Sequence, residues 1–211
     1  MTMDARDIEK LVAKAKDDII KEVHDKLPRK VGVVAVNNFK QNFRDGGWLD
    51  NGVHPWKRTR RQNGTGTNAI RGPLLSGREH LMKSIQASTS PGQVSIENPV
   101  PYAHVHNDGA KIPVTKKMKK YAWFKFYSLS GFKKGQKKDK VSPAAEGWKG
   151  LALTKKSSLT IPRRQFMGDS AELRVKVNKL INESIQKKME LLLYHLIDHI
   201  KENRGTYPLP S

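Results

Sequence analysis

Pro101-Tyr-Ala-His-Val-His-Asn-Asp-Gly109 and Ile161-Pro-Arg-Arg-Gln-Phe-Met-Gly168 are two punctuated stretches, separated by a lysine-dense segment, around which the rest of the chain can be placed. In the first, Pro101 fixes the approach and an apolar turn follows. Asn107, Asp108 and Gly109 are then the residue types that most readily take positive φ and stop a short helix. A sharp turn is predicted there. In the second, Pro162 holds the residue before it extended, so Leu159, Thr160 and Ile161 read as the end of a strand. Gly168 releases the chain into Asp169, Ser170, Ala171 and Glu172, where Asp169 can cap a helix and Glu172 can reach back as in a capping box. A strand therefore hands over to a helix.

Outward from these stretches, Leu173, Val177, Leu180, Ile181, Met189, Leu192, Leu196 and Ile200 mark a long helix from Asp169 to about Asn203, ended by Gly205 and Pro208. At the opposite end, Ile8, Leu11, Val12, Ala15, Ile19, Ile20 and Val23 make Asp4–Lys26 an amphipathic helix. Pro28 suits the first turn of a second helix, which Val31, Ala35, Phe39 and Phe43 carry to Asp45, Gly46 and Gly47. Residues 46–68, rich in Gly, Asn, Thr and Arg, read as an irregular loop pinned by Trp48 and Trp56. Residues 81–87 and 93–97 read as a hairpin across 88–92, and Leu151–Leu153 with Leu159–Ile161 as a second. The fold class expected is α+β: two amino-terminal helices, a small mostly antiparallel sheet and a long carboxy-terminal helix. Residues 1–110 and 141–205 form one domain on this reading, 111–140 a basic aromatic insert projecting from the sheet, and 206–211 a tail.

Composition points to a polyanionic partner. Lys and Arg number 40 against 20 Asp and Glu, a net charge of +20, while only 36% of residues are hydrophobic. Cysteine is absent, which excludes disulfides and thiolate metal sites. The sequence has neither an apolar run long enough to span a membrane nor a charged-then-apolar leader, so no membrane partner is expected. The charge is most polarised in residues 111–140, where eleven lysines meet a single acid, Asp139, with aromatic residues between them. Thr115–Leu129 reads as a helix with basic and aromatic faces, and 130–142 as a mobile tip. Lys116, Lys117, Lys119, Lys120, Lys133, Lys134, Lys137, Lys138 and Lys140 are candidates to face DNA, since cations attract phosphates without reading sequence. Trp123, Phe124 and Phe126 are candidates for a protein interface, because aromatic residues concentrate at interface cores.

The order of motifs resembles a known family. Phe39-x-x-Asn42, Trp56-Lys57, Leu75-Ser76-Gly77, Leu81, Ser84-Ile85, Tyr102-Ala103-x-x-His106-x-x-Gly109 and Ile161-Pro162-Arg163-Arg164-x-Phe166-x-Gly168 are similar to the Mu-type phage virion morphogenesis, or tail completion, family over roughly residues 30 to 190. The resemblance implies a structural protein of the neck or head-proximal tail end, forming a homo-oligomeric ring around double-stranded DNA. It implies neck, connector or tail-terminator proteins as neighbours, the host cytoplasm as the place of assembly, no cofactor and no catalysis. Tyr102, Ala103, His106, Gly109, Pro162, Arg163, Phe166 and Gly168 carry the structural motif. Phe166 is expected to be buried, with Pro162 and Gly168 shaping the chain around it. Of Arg163 and Arg164, one is expected to pair with an acid or carbonyl at a subunit boundary and the other to be solvated.

Other chemistry reads weakly. His104, His106 and His54 have no carboxylate at ligand spacing, and no serine sits in a strained Gly-flanked elbow. Gly64-Thr65-Gly66 lacks the ending of a phosphate loop. The alternative function is a sequence-independent nucleic-acid-binding protein. A nuclease is a poorer third, because the acids fall mostly on the terminal helices instead of clustering.

Overall fold

A computed structural model describes residues 5–63, 67, 69–131 and 141–204. The two amphipathic periodicities at the amino terminus become α1 (Ala5–Lys21) and α2 (Leu27–Asp45), joined without a break by one π-helical turn, Glu22–Lys26. Pro28 sits in the first turn of α2 and, lacking an N–H, cannot donate to the His24 carbonyl four residues back in the continuous helix. A π turn shifts the backbone out of the i→i−4 pattern, and here the His24 carbonyl accepts from Gly92 N at 2.9 Å. The bulge between the helices is therefore where a hairpin turn attaches.

That hairpin is β3 (Gln86–Ser90) with β4 (Gln93–Glu97), registered Gln86 to Glu97 and Ser90 to Gln93 across Pro91 and Gly92. It lies close on α2. A Cβ at Gly32 would meet Ala87 Cβ at 3.0 Å and Val94 Cγ2 at 3.3 Å, so the smallest residue sets the helix-to-hairpin distance. The strand begins later than periodicity predicts, because residues 80–83 form a helical turn, α3 (His80–Lys83). Leu81, Met82 and Ile85 all reach the core from that turn and its exit, and all are buried. Burial of three apolar groups at helical spacing outweighs the period-two reading.

The other strands also pair antiparallel. β1 (Gly47–Leu49) pairs with β2 (Val53–Pro55), a hairpin inside the stretch read as irregular loop. β5 (Ala110–Pro113) pairs with β6 (Ser158–Ile161), Ala110 opposite Ile161 and Pro113 opposite Ser158. The hairpin expected between Leu151–Leu153 and Leu159–Ile161 does not form. Ser142 caps and Pro143 starts α6 (Pro143–Ala152), whose last turn contains Leu151 and Ala152, and β6 takes its partner from just after the first motif. The architecture is α+β, and among the described residues the strands are divided among three two-stranded sheets.

The main core joins Phe39 and Phe43 of α2 to Trp48, Trp56, Leu81, Ile85, Val100 and Phe166. The longest element, α7 (Ala171–Arg204), packs on α2 and then runs past α1 in the opposite sense. Ser184 meets Glu22, and further on Lys188, Leu191, Leu192 and His195 share a groove with Leu11, Lys14, Ala15 and Asp18. Glu22, 5% exposed, is the polar rivet of that junction. Lys30 Nζ donates to it at 2.6 Å and Ser184 Oγ at 3.2 Å, and Lys26 lies 3.7 Å away. The hydrogen bond from Lys30 is the main reason its carboxyl is held below the ordinary value.

Candidate functional site

The two motif stretches meet. α4 (Ala103–Asp108) ends at Gly109 with φ +76°, and a Cβ there would stand 2.9 Å from Arg163 N and 3.1 Å from Ile161 O. Only glycine admits the second stretch so close to the first. Just before it, Asn107 Oδ1 accepts from both Phe166 N and Met167 N at 3.0 Å, and the His106 carbonyl accepts from Arg164 N at 2.7 Å. From the other side, Asn42 of α2, fully buried, donates to Phe166 O at 3.2 Å and accepts from Leu49 N at 3.3 Å. Trp56 Nε1 donates to Gln165 O at 2.9 Å. Residues 164–167 have no regular secondary structure, so side chains supply the hydrogen bonds a ladder would otherwise give.

Phe166 stands in the middle, 1% exposed, its ring 4.9 Å from Phe43, which in turn lies edge-on to Trp56 at 5.6 Å. Pro162 is half-buried at the strand exit, and Gly168, with φ +148°, leads toward α7. The capping is reassigned. Ser170 Oγ, not Asp169, accepts from Leu173 N, at 3.3 Å; Asp169 instead pairs with Arg174, which lowers its carboxyl pKa. Glu172 accepts from Gly52 N at 3.2 Å, and Asp50 Oδ1 accepts from Ala171 N at 2.9 Å, tying the start of α7 to the β1–β2 hairpin.

Arg164 is the buried member of the arginine pair, 6% exposed, with Nε donating to Lys57 O at 3.0 Å within the same chain. Arg163 is exposed and donates to Gln165 Oε1. The sequence signal for Arg164 is faint, since nothing local distinguishes two adjacent arginines. His106 lies half-buried beside it, its pKa lowered first by burial and then by the Arg164 charge, with the Tyr102 ring edge-on at 5.9 Å. Ala103 is buried, whereas Tyr102 is 46% exposed.

The lysine-rich stretch begins on β5 and continues as α5 (Lys116–Ser130), where Thr115 Oγ1 accepts from Met118 N at 3.1 Å to cap it. α5 packs along α6 as a helical hairpin. Phe126 and Ala145 form its buried centre, with Trp123, Tyr127, Val141 and Trp148 around them. Trp123 stacks on Tyr127 at 5.7 Å and meets Phe126 edge-on at 5.7 Å, so Phe126 is engaged inside its own chain while Phe124 is 63% exposed. Lys116, Lys117 and Lys120 face solvent. Lys119 reaches back to Thr154 O at 2.7 Å. Lys133, Lys134, Lys137, Lys138 and Lys140 lie outside the described residues, with most of the predicted 130–142 tip, but at its ends Ser130 closes α5, Val141 packs beside Phe126 and Ser142 caps α6.

Among the described residues, no three His, Cys, Asp or Glu side chains gather as a metal centre would require, and no helix is long and apolar enough to cross a membrane. The two motif stretches hold one another in place, and Lys116, Lys117 and Lys120 are presented on a packed helical hairpin. The chain belongs to the phage virion morphogenesis family, whose sequence model matches residues 3–186. It is thus a structural component of a phage virion. No curated protein and no solved structure matches the chain.

Proposed function

We propose that the protein completes or joins head and tail at the neck or head-proximal tail end, as one subunit of a ring around the DNA channel. The observation that carries this is the basic face of α5. Lys116, Lys117 and Lys120 are solvent-facing on a helix fixed by α6, in a virion-family chain of net charge +20. In a ring such a face is repeated by symmetry and attracts duplex DNA through its phosphates, with no need to read bases. Neck, connector or tail-terminator proteins are the neighbours this position supplies.

Duplex binding measured against salt tests the reading. Each phosphate contact contributes about 0.9 to the log–log slope, so changing Lys116, Lys117 and Lys120 to Gln lowers it by about 2 to 3. A second variant changing Lys133, Lys134, Lys137, Lys138 and Lys140 reports on the rest of the segment. Labelled protein in particles locates the ring, and a protein that binds DNA but is missing from particles would be the sequence-independent nucleic-acid-binding alternative. Absence of DNA binding at low salt, or dependence on base sequence, would overturn the lumen assignment. Phe124, 63% exposed, and Tyr121, 51% exposed, favour a second use of the same helix as a docking face for the next ring. Phe124→Ala would then reduce joined particles and leave the salt slope unchanged.

A further inference from the structure

The antiparallel pair formed by α1 and the distal half of α7 leaves apolar rows uncovered. On α1, Leu11, Ala15 and Ile19 are half-buried, whereas Ile8 and Val12, four residues apart, are 44% and 51% exposed. On α7, Lys188, Leu191, Leu192 and His195 line the groove against α1. Met189, Leu193 and Ile197, again spaced by four, form a different row and are 52%, 54% and 51% exposed. Each helix thus carries one row used within the chain and one that is not. Monomeric proteins scatter single apolar residues over the surface but seldom align them in rows along two adjacent helices.

Charge narrows the occupant. Residues 5–26 carry six basic and six acidic side chains and residues 171–204 seven and five, against 40 and 20 in the whole chain. Nearly all of the positive excess lies elsewhere. Two copies approaching by their bodies would repel, and a body meeting an arm, whose small net charge is also positive, gains no attraction. Two arms meet with interspersed charges of both signs, Asp7, Lys10, Asp17 and Lys21 on α1 among them. DNA is not favoured by a surface that carries so little of the chain's positive excess.

We infer that the α1–α7 arm is a contact between copies of this chain, the Ile8–Val12 row of one packing on the Met189–Leu193–Ile197 row of another to form a four-helix bundle. Two antiparallel helices with a second apolar row on each are half of such a bundle. The inference rests on the ring reading and adds a paired building unit to it, because a reciprocal four-helix bundle closes on two copies, and it can fail separately, since copies can join through their arms whether or not the protein sits at the neck.

The chain has no cysteine, so a single introduced thiol is unique. Val12→Cys and Leu193→Cys proteins, purified separately, mixed and oxidised, should form the mixed disulfide-linked dimer in preference to either like pair. In sedimentation, Leu193→Glu with Ile197→Glu should weaken self-association at least about a hundredfold. At a concentration where the parent is monomeric, the urea midpoint of the variant should match it, because Leu193 and Ile197 are both about half exposed. A parent that sediments as a monomer at every concentration would overturn the inference and leave a different protein as the occupant. A double variant that associates like the parent, or a crosslinking yield indifferent to which thiols are paired, would overturn it too. Location of labelled protein in particles tests the neck assignment independently.

Discussion

Truncating Phe166 tests the clasp where both motifs and α2 converge. The side chain is 1% exposed, its ring is 4.9 Å from Phe43, and its backbone is held on one side by Asn107 and on the other by Asn42. Those anchors stop the segment from collapsing inward after Phe166→Ala, so the space stays largely unfilled. Emptying a large aromatic site costs about 3 to 5 kcal/mol, and the fixed backbone argues for the upper half of that range. With a urea m-value of about 2 kcal/mol/M, the midpoint should fall by about 2 M. Trp48 and Trp56 are both buried in the same core, so their fluorescence reports its loss directly. If the anchors act as argued, Asn42→Ala and Phe166→Ala together should cost a different amount from the sum of the two alone, since they share the Phe166 peptide. A midpoint shift below about 0.5 M, with unchanged m-value, would refute the assignment of Phe166 as the packing centre.

Asn107→Ala removes the acceptor shared by Phe166 N and Met167 N and should cost about 2 to 4 kcal/mol in urea unfolding; Asn107→Asp keeps an acceptor oxygen and should recover most of it. Gly109→Ala places a Cβ 2.9 Å from Arg163 N at φ +76° and should cost about 2 kcal/mol or more, read as a lower melting temperature. Glu22 has a folded pKa below its ordinary value of 4.5, so the unfolded chain binds more protons between those two values. Its contribution is therefore full above about pH 4.5 and is lost as pH falls through the folded pKa. Glu22→Gln should flatten the acid limb of the stability profile, and an unchanged limb would remove Glu22 as its source.

The sequence by itself determined the elements that declare themselves locally. Helical spacing of Leu11, Ala15 and Ile19, and of Leu173, Val177 and Ile181, marks α1 and α7 because each turn repeats the same demand for one buried face. Asn107, Asp108 and Gly109 stop α4 through backbone preference, a property of single residues that does not depend on neighbours. The ordered motifs also carried the family. Only the tertiary structure decided what met what. β6 and β5 pair across some 45 residues of chain, and Leu151 and Ala152 close a helix instead of a strand because Ser142 and Pro143 had already set its start. The same three-residue apolar run satisfies either pattern, and long-range packing selects between them. Arg164 rather than Arg163 is buried because the Lys57 carbonyl waits on that side, and Phe126 is held by α6 while Phe124 is left outside. Adjacent residues of one type share a propensity but not a direction, and direction is fixed only when the whole backbone is in place.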